Sequence, residues 1–157
     1  MRRLILLPGL SADEHGAVAV ETALIAPVLV LMSIGGFQAS MIVSRQAELQ
    51  SAAAEGAAIA LANKPDDEGK RETLKGILQT STNSQRKGVS VTVDPYFRCG
   101  DATALVTDQT TCAEGEKISR YVRLSLVQTY TPIWAKYGMG SSLRYGVTRY
   151  VMFSQSS

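Results

Sequence analysis

The chain has 157 residues, of which 16 are Lys or Arg and 14 are Asp or Glu, so its formal net charge is +2. A charge this close to neutral, without a basic run or aromatic residues interleaved with basic ones, argues against a nucleic-acid partner. The length allows one small folded domain beside any membrane segment.

Residues 1–16 form a short polar leader. Its apolar run, residues 4–7, is too short for a secretory signal, and Pro8 interrupts it. The leader ends with Asp13, Glu14 and His15, directly before Gly16. We therefore predict that residues 1–16 stay in the cytoplasm.

A membrane-length apolar segment follows the leader. Residues 23–43 are 21 residues without a formal charge, close to the roughly 20 that cross a bilayer core. Ten of them are Leu, Ile, Val or Phe, and such residues together favour insertion by about 3 to 6 kcal/mol. We predict a transmembrane helix over residues 17–43, with the lipid bilayer as its partner.

Glu21 lies at the edge of this apolar segment, where an ionised carboxylate is costly and requires a reason. One interpretation is that Glu21 only stabilises the first helical turn through the helix dipole. The other begins with cleavage after Gly16, which would turn Ala17 into a positively charged N-terminus. Residues 17 and 21 share one helix face, so the new ammonium, on this subunit or a neighbour, would pair with Glu21.

The run from Gly16 to Val30 resembles the N-terminal signature of TadE-like proteins, the minor pilins of tight-adherence pili. It matches the family pattern at Gly16, Glu21, Ala23, Leu24 and Pro27, and it differs at Thr22, where the family usually has Phe. Gly-x-x-x-x-Glu at the head of an apolar helix also resembles a prepilin peptidase site. The resemblance implies cleavage between Gly16 and Ala17 and assembly through Glu21 and Pro27.

The resemblance further implies a structural minor pilin or pseudopilin of a tight-adherence (Flp-type) pilus system. Its expected partners are a prepilin peptidase, other pilin-like subunits and the inner-membrane assembly platform. We expect a single-pass inner-membrane protein whose N-terminus is cytoplasmic and whose C-terminal head is periplasmic, with possible incorporation in a surface pilus. The alternative is an uncleaved, membrane-anchored periplasmic binding module.

Several features of the span and its continuation favour helix packing. Pro27 removes one helical hydrogen bond, Gly35-Gly36 is a second soft point, and Gly36 with Ser40 would permit close helix contact. Residues 44–63 continue as an amphipathic helix, which ends where Pro65 disfavours helical geometry in Lys64. Its apolar stripe consists of Leu49, Ala52, Ala53, Gly56, Ile59 and Ala60.

Residues 64–157 are predicted to form a small head. A short amphipathic helix is expected over residues 70–80 and a loop over residues 82–88. Alternating apolar residues predict strands over residues 89–93, 118–130 and 143–153, the first ended by Asp94-Pro95. The predicted fold class is α+β: a long N-terminal transmembrane helix whose amphipathic extension packs on a small antiparallel sheet.

Cys99 and Cys112 both follow the span, and an even, low cysteine count in an exported region favours one disulfide closing an exposed loop. Two free buried thiols are the alternative. Two cysteines without a histidine in the head leave a zinc ligand set incomplete. The head also contains no nucleotide-binding or metal-binding motif, so we expect no cofactor, no metal and no enzymatic activity; an envelope hydrolase is the least favoured function.

Overall fold

The computed structural model describes residues 14–85, 88–138 and 140–156. It contains two α-helices, α1 (Glu14–Asn63) and α2 (Glu68–Gln85), and three strands, β1 (Val89–Cys99), β2 (Ile118–Tyr130) and β3 (Leu143–Ser156). Two short 3-10 turns are formed by Gln109–Thr111 and Ile133–Tyr137. The long apolar helix and the small antiparallel sheet confirm the predicted α+β class.

The chain divides into two compact units, with the division between Ser40 and Met41. The predicted domain limits after residues 16, 43 and 63 remain predictions. Most of the predicted leader, residues 1–13, lies outside the described residues. Its last three residues belong to the first turn of α1, so the helix begins earlier than the predicted start at residue 17.

The second unit is built on the sheet, in which β2 lies between β1 and β3 and pairs with both in antiparallel fashion. Leu126 is opposite Val91 on one side and Val147 on the other. The predicted limits of β2 are confirmed, and β3 extends three residues beyond its predicted end. One irregularity shifts the register of β2 against β3 between Arg120 and Tyr121.

One face of the sheet carries the core. Val122, Leu124 and Leu126 of β2 are fully buried. They pack with residues of the last part of α1 (Leu49, Ala53, Ala60), of α2 (Leu74, Leu78) and of the flanking strands (Val89, Val91, Val151). The predicted apolar stripe of α1 is confirmed, because Leu49, Ala53, Gly56 and Ala60 are buried and Ala52 and Ile59 pack against the cluster.

Two predicted boundaries are wrong. The helix predicted over residues 70–80 extends to Gln85, so the first half of the predicted 82–88 loop is helical. The Thr82 hydroxyl donates to the Leu78 carbonyl at 2.6 Å. Thr82, whose polar side chain had indicated a loop, is therefore accommodated within the helix. Asp94-Pro95 also fails to end β1, which continues to Cys99. Pro95 is tolerated because β1 is an edge strand.

The disulfide between Cys99 and Cys112 is formed and confirms the predicted pairing, with the two Cα atoms 5.3 Å apart. It fixes a mostly exposed loop to the end of β1. Val106 of the loop pairs back with Phe97 of β1 through two backbone hydrogen bonds of 2.8 Å.

Candidate assembly site

The residues singled out by the sequence signature all lie in the first unit, on α1. Gly16, Glu21 and Pro27 are helical and exposed, and Ala17 is helical as well. Because residues four apart lie on one face of a helix, the fold places Glu21 one turn after the backbone nitrogen of Ala17. The spacing on which the sequence prediction depends is therefore that of a continuous helix.

The hydroxyl groups near Glu21 and further along the apolar segment are satisfied within the helix. Thr22 donates to the Val18 carbonyl at 2.9 Å, and Ser33 donates to the Leu29 carbonyl at 2.8 Å. Such internal bonds let a hydroxyl enter hydrocarbon without losing its hydrogen bonds. Neither hydroxyl therefore opposes a membrane location for this segment.

Glu21 differs from these hydroxyl residues. Within residues 14–85, 88–138 and 140–156, no side chain or backbone group forms a hydrogen bond or an ion pair with its carboxylate. A carboxylate on an apolar helix requires a cationic or hydrogen-bonding partner. In the part of the chain that the structure describes, the Glu21 carboxylate has no such partner.

The helix around Glu21 presents a long apolar surface. All described side chains from residue 18 to residue 37 are exposed, including Leu24 (71%), Leu31 (69%) and Phe37 (63%). This is the one helix among the described residues that is long and apolar enough to cross a membrane. An exposed apolar surface of this size indicates contact with lipid or with other helices.

The glycines of α1 fall into two groups. A β-carbon built on Gly35 or Gly36 meets no atom within 4 Å, whereas one built on Gly56 comes within 2.9 Å of Leu78 Cδ1 and 3.2 Å of Leu124 Cδ1. The small residue at position 56 therefore serves packing inside the head. Packing inside the described chain gives no such reason for Gly35 and Gly36, which leaves them available for close approach of another helix.

A second surface, on the sheet face opposite the core, was not recognised in the sequence. Arg123 of β2 pairs with Asp94 of β1 at 2.5 Å, and its guanidinium carbon lies 5.0 Å from the centroid of the Tyr96 ring. Tyr96 in turn meets the Tyr150 ring edge to face, with centroids 5.5 Å apart. The hydrogen bond with Asp94 raises the pKa of the Arg123 guanidinium above its usual value.

The same ladder continues along the strands, where the guanidinium carbon of Arg98 lies 5.6 Å from the centroid of the Tyr121 ring. The signal that would have revealed it is the alternation of strand residues, which places Asp94, Arg123 and Tyr150 opposite one another on three adjacent strands. Strand lengths and register were needed to see this alignment, because the first strand had been predicted over residues 89–93 only, with Asp94 outside it.

Among the described residues of the head, side chains that bind metals do not gather. Within the described ranges no group of three or more His, Cys, Asp or Glu residues is close enough to hold a metal ion. In the second unit, Arg45 stacks over the Tyr130 ring, with its guanidinium carbon 4.3 Å from the ring centroid. The expected lack of enzymatic activity remains a prediction.

Comparison with known proteins gives one finding. Residues 16–58 match the family model described as TadE-like protein, which confirms the family resemblance over this segment. The match contains Gly16, Ala17, Glu21 and Pro27 and lies wholly within α1. A search of curated proteins returns no significant match. A search of solved structures returns none either.

Proposed function

From the match of residues 16–58 to the TadE-like family, we propose that the chain is a membrane-anchored structural subunit of a tight-adherence pilus system, as a minor pilin or pseudopilin. The observation that carries the proposal is the Glu21 carboxylate, exposed on an apolar helix without a partner among the described residues. When subunits pack together through this helix, the Ala17 ammonium of one subunit supplies the partner for Glu21 of its neighbour.

The first step is hydrolysis of the Gly16–Ala17 amide bond by a prepilin peptidase. Water adds across the bond, so that Gly16 leaves as a carboxylate with the leader and Ala17 keeps a protonated amine. The exposure of Gly16 supports this step, because a peptidase requires an accessible backbone. The usual family residue after Glu21 is aromatic, and Thr22 is the position at which this chain differs.

The second step is lateral assembly. The new Ala17 ammonium pairs with Glu21 of a neighbouring subunit, while the exposed apolar side chains of both helices pack together within the bilayer. Gly35 and Gly36 allow the helices to approach closely, and Pro27 leaves one carbonyl of the preceding turn free for helix bending. The assembly platform of the inner membrane is the expected site of this step.

The head faces the periplasm in this proposal. The disulfide between Cys99 and Cys112 supports this orientation, because disulfides persist in oxidising compartments. The head acts by contact with other subunits rather than by catalysis, and no cofactor takes part.

The deciding experiment is the intact mass of the protein extracted from membranes, with and without a coexpressed tight-adherence prepilin peptidase. We expect loss of residues 1–16 only when the peptidase is present, with Ala17 as the new N-terminus. A Gly16→Leu variant is expected to remain uncut, and Ala19→Leu, at the third residue after the cleaved bond, is the matched control. An N-terminus at Met1 in assembled, functional material would refute the proposal.

The same measurement tests the alternative, an uncleaved anchored module that binds other envelope proteins through its head. The ladder of Arg123, Asp94, Tyr96 and Tyr150 is the observation that favours this alternative, because it offers charge and aromatic rings on one open face. An uncut chain that still captures an envelope protein through this face would support the module.

A further inference from the structure

The two edges of the sheet are protected very differently. The edge of β1 is closed at most of the residues that point away from β2. Gln79 of α2 donates its side-chain amide to the Val89 carbonyl at 2.7 Å and accepts from the Val91 N–H at 3.1 Å. Asn83 accepts from the Val89 N–H at 3.3 Å. Pro95 has no N–H to offer, and Phe97 is paired with Val106 in both directions.

No described residue covers the outer edge of β3 in this way. In an antiparallel ladder, alternate residues direct both backbone groups to one neighbour. Since Val89 and Val91 point away from β2, the registers assign the outward direction on β3 to Arg144, Gly146, Thr148 and Tyr150. None of their backbone groups bonds to any residue that the structure describes. Within the described part of the chain, a row of alternating donors and acceptors thus stays open.

The usual protections of an edge strand are weak on β3. Between Leu143 and Val151 the strand contains no proline, and the register irregularity lies beyond this stretch. Natural proteins normally blunt a long open edge with charged side chains, prolines, bulges or a covering element, and of these devices this stretch of β3 carries only charged side chains, Arg144 and Arg149. Among the described residues, the outer edge of β3 is therefore the edge of the sheet that is accessible to a strand from outside.

The charges on β3 indicate which kind of strand would bind at its outer edge. The strand carries Arg144 and Arg149 and no acidic residue. Both arginines are exposed, and neither pairs with a carboxylate in the described part of the chain. They are five residues apart and therefore lie on opposite faces of the sheet. A second copy of β3 would bring two more unpaired arginines to this edge, and a second copy of β1 has its edge closed.

We infer that β3 is a docking edge for an extended acidic segment of another protein, which adds a fourth strand antiparallel to β3 and places one carboxylate beside Arg144 and another beside Arg149. Backbone hydrogen bonds hold the segment, and the two ion pairs select it. This contact belongs to the head and does not depend on how the apolar helix assembles.

The test uses the full chain in nanodiscs of zwitterionic phosphatidylcholine and a fluorescent ten-residue peptide of alternating threonine and valine, with glutamates at its third and eighth positions. This spacing matches that of Arg144 and Arg149. We expect the peptide to bind at least about tenfold more tightly than the same peptide with lysines at those positions. The difference should shrink as salt is raised from about 0.05 to about 0.5 M.

Variants of Thr148 test the edge itself. Thr148→Pro removes an outward N–H that has no internal partner, so it should weaken binding at least about tenfold while the head stays folded. Thr148→Val keeps the N–H and should bind as the wild type. If the proline variant unfolds, N-methylation of the peptide backbone replaces it as the test. Methylating the alternate amides that face β3 must abolish binding, and methylating the amides that face away from β3 must not.

Three results would overturn the inference. Equal binding of the glutamate and lysine peptides would remove the charge selection, and equal effects of the two methylation sets would remove the strand pairing. Association of the chain with itself that Thr148→Pro abolishes would show that a second copy, not an acidic partner, occupies the edge.

Discussion

Gly56 in α1 lies directly against Leu78 in α2, so closely that a β-carbon on Gly56 would come within 2.9 Å of one Leu78 methyl and 3.0 Å of the other. A larger side chain at position 56 would therefore force the Leu78 and Leu124 side chains to move. This contact is part of the hydrophobic core of the head. Leu78 and Leu124 both lie beside Gly56, and both belong to the buried cluster.

Substitution of Gly56 is expected to destabilise the head. Gly56→Val should lower the free energy of unfolding by about 1 to 3 kcal/mol, because overpacking forces the two leucines to move. Gly76→Ala is the matched control: Gly76 is helical, and a β-carbon there meets no atom within 4 Å, so alanine should raise stability by about 1 kcal/mol. Thermal unfolding of the full chain in detergent measures both. Equal effects would contradict the close contact.

Glu21→Ala is expected to leave membrane insertion unchanged or improved, because a carboxylate is costly in an apolar helix. Pilus assembly should be lost, since the neighbouring Ala17 ammonium then has no carboxylate to meet. Glu55→Ala removes another exposed acid of α1 and should assemble normally. The readouts are membrane fractionation and the amount of assembled pilus on cells. Normal assembly of the Glu21 variant would refute the proposed pairing.

The disulfide is expected to stabilise the head. It joins residues 13 apart, and a loop of this size corresponds to about 3 kcal/mol of unfolding free energy. The Cys99→Ser variant should melt at the lower temperature that the wild-type chain shows in reductant. Reductant should not lower the melting temperature of the variant further. Cleavage after Gly16 should be unaffected. Identical melting of oxidised and reduced wild type would exclude a stabilising role.

Removal of the Gln79 side chain should open the edge of β1. Gln79→Ala leaves the Val89 carbonyl and the Val91 N–H without their partner, which is expected to cost about 1 to 3 kcal/mol of stability and to promote aggregation through the new edge. Thr80→Ala, at the adjacent exposed helix position, should be neutral or slightly stabilising. Chemical unfolding and light scattering measure the two effects. Unchanged stability of the Gln79 variant would mean that the strand edge does not need this cover.

Asp108 is expected to titrate below the usual aspartate range. Its carboxylate accepts a hydrogen bond from the Thr110 N–H at 2.9 Å, and this bond lowers the pKa below the ordinary 3.8. Because the folded pKa is depressed, the bond stabilises the loop above pH 3.8 and is lost as the pH falls through the lowered value. An NMR titration of the Thr110 amide should report this midpoint, and Asp108→Asn should remove it. A midpoint at or above 3.8 would contradict the bond.

Much of the fold was readable from local pattern. The limits of β2 followed from strict alternation of apolar residues, and the buried stripe of α1 followed from helical spacing. The two boundary errors share one cause. Thr82 and Pro95 are residues that usually end regular structure, but each occurs where its defect does no harm, inside a helix that takes up the hydroxyl and on a strand edge that needs no N–H.

The candidate assembly site remains a prediction. Glu21 stood out because a carboxylate at the edge of an apolar run is anomalous in the sequence itself, whereas Gly16 and Pro27 followed from the family resemblance, and the family match covers all three positions. The arginine and tyrosine ladder could not be predicted, because Asp94, Arg123 and Tyr150 come together only through the register of three strands.

The sequence by itself determined that residues 17–43 lie in a long apolar helix, that Glu21 is a carboxylate at the edge of its apolar segment, and that three alternating segments follow it, because hydrophobic periodicity and charge are local properties of a chain. Only the tertiary structure decided that Gly56 packs against Leu78, that Gln79 covers the edge of β1 and that no described residue covers the outer edge of β3. Each of these depends on which distant residues become neighbours, and that is set by the pairing of strands and the packing of helices.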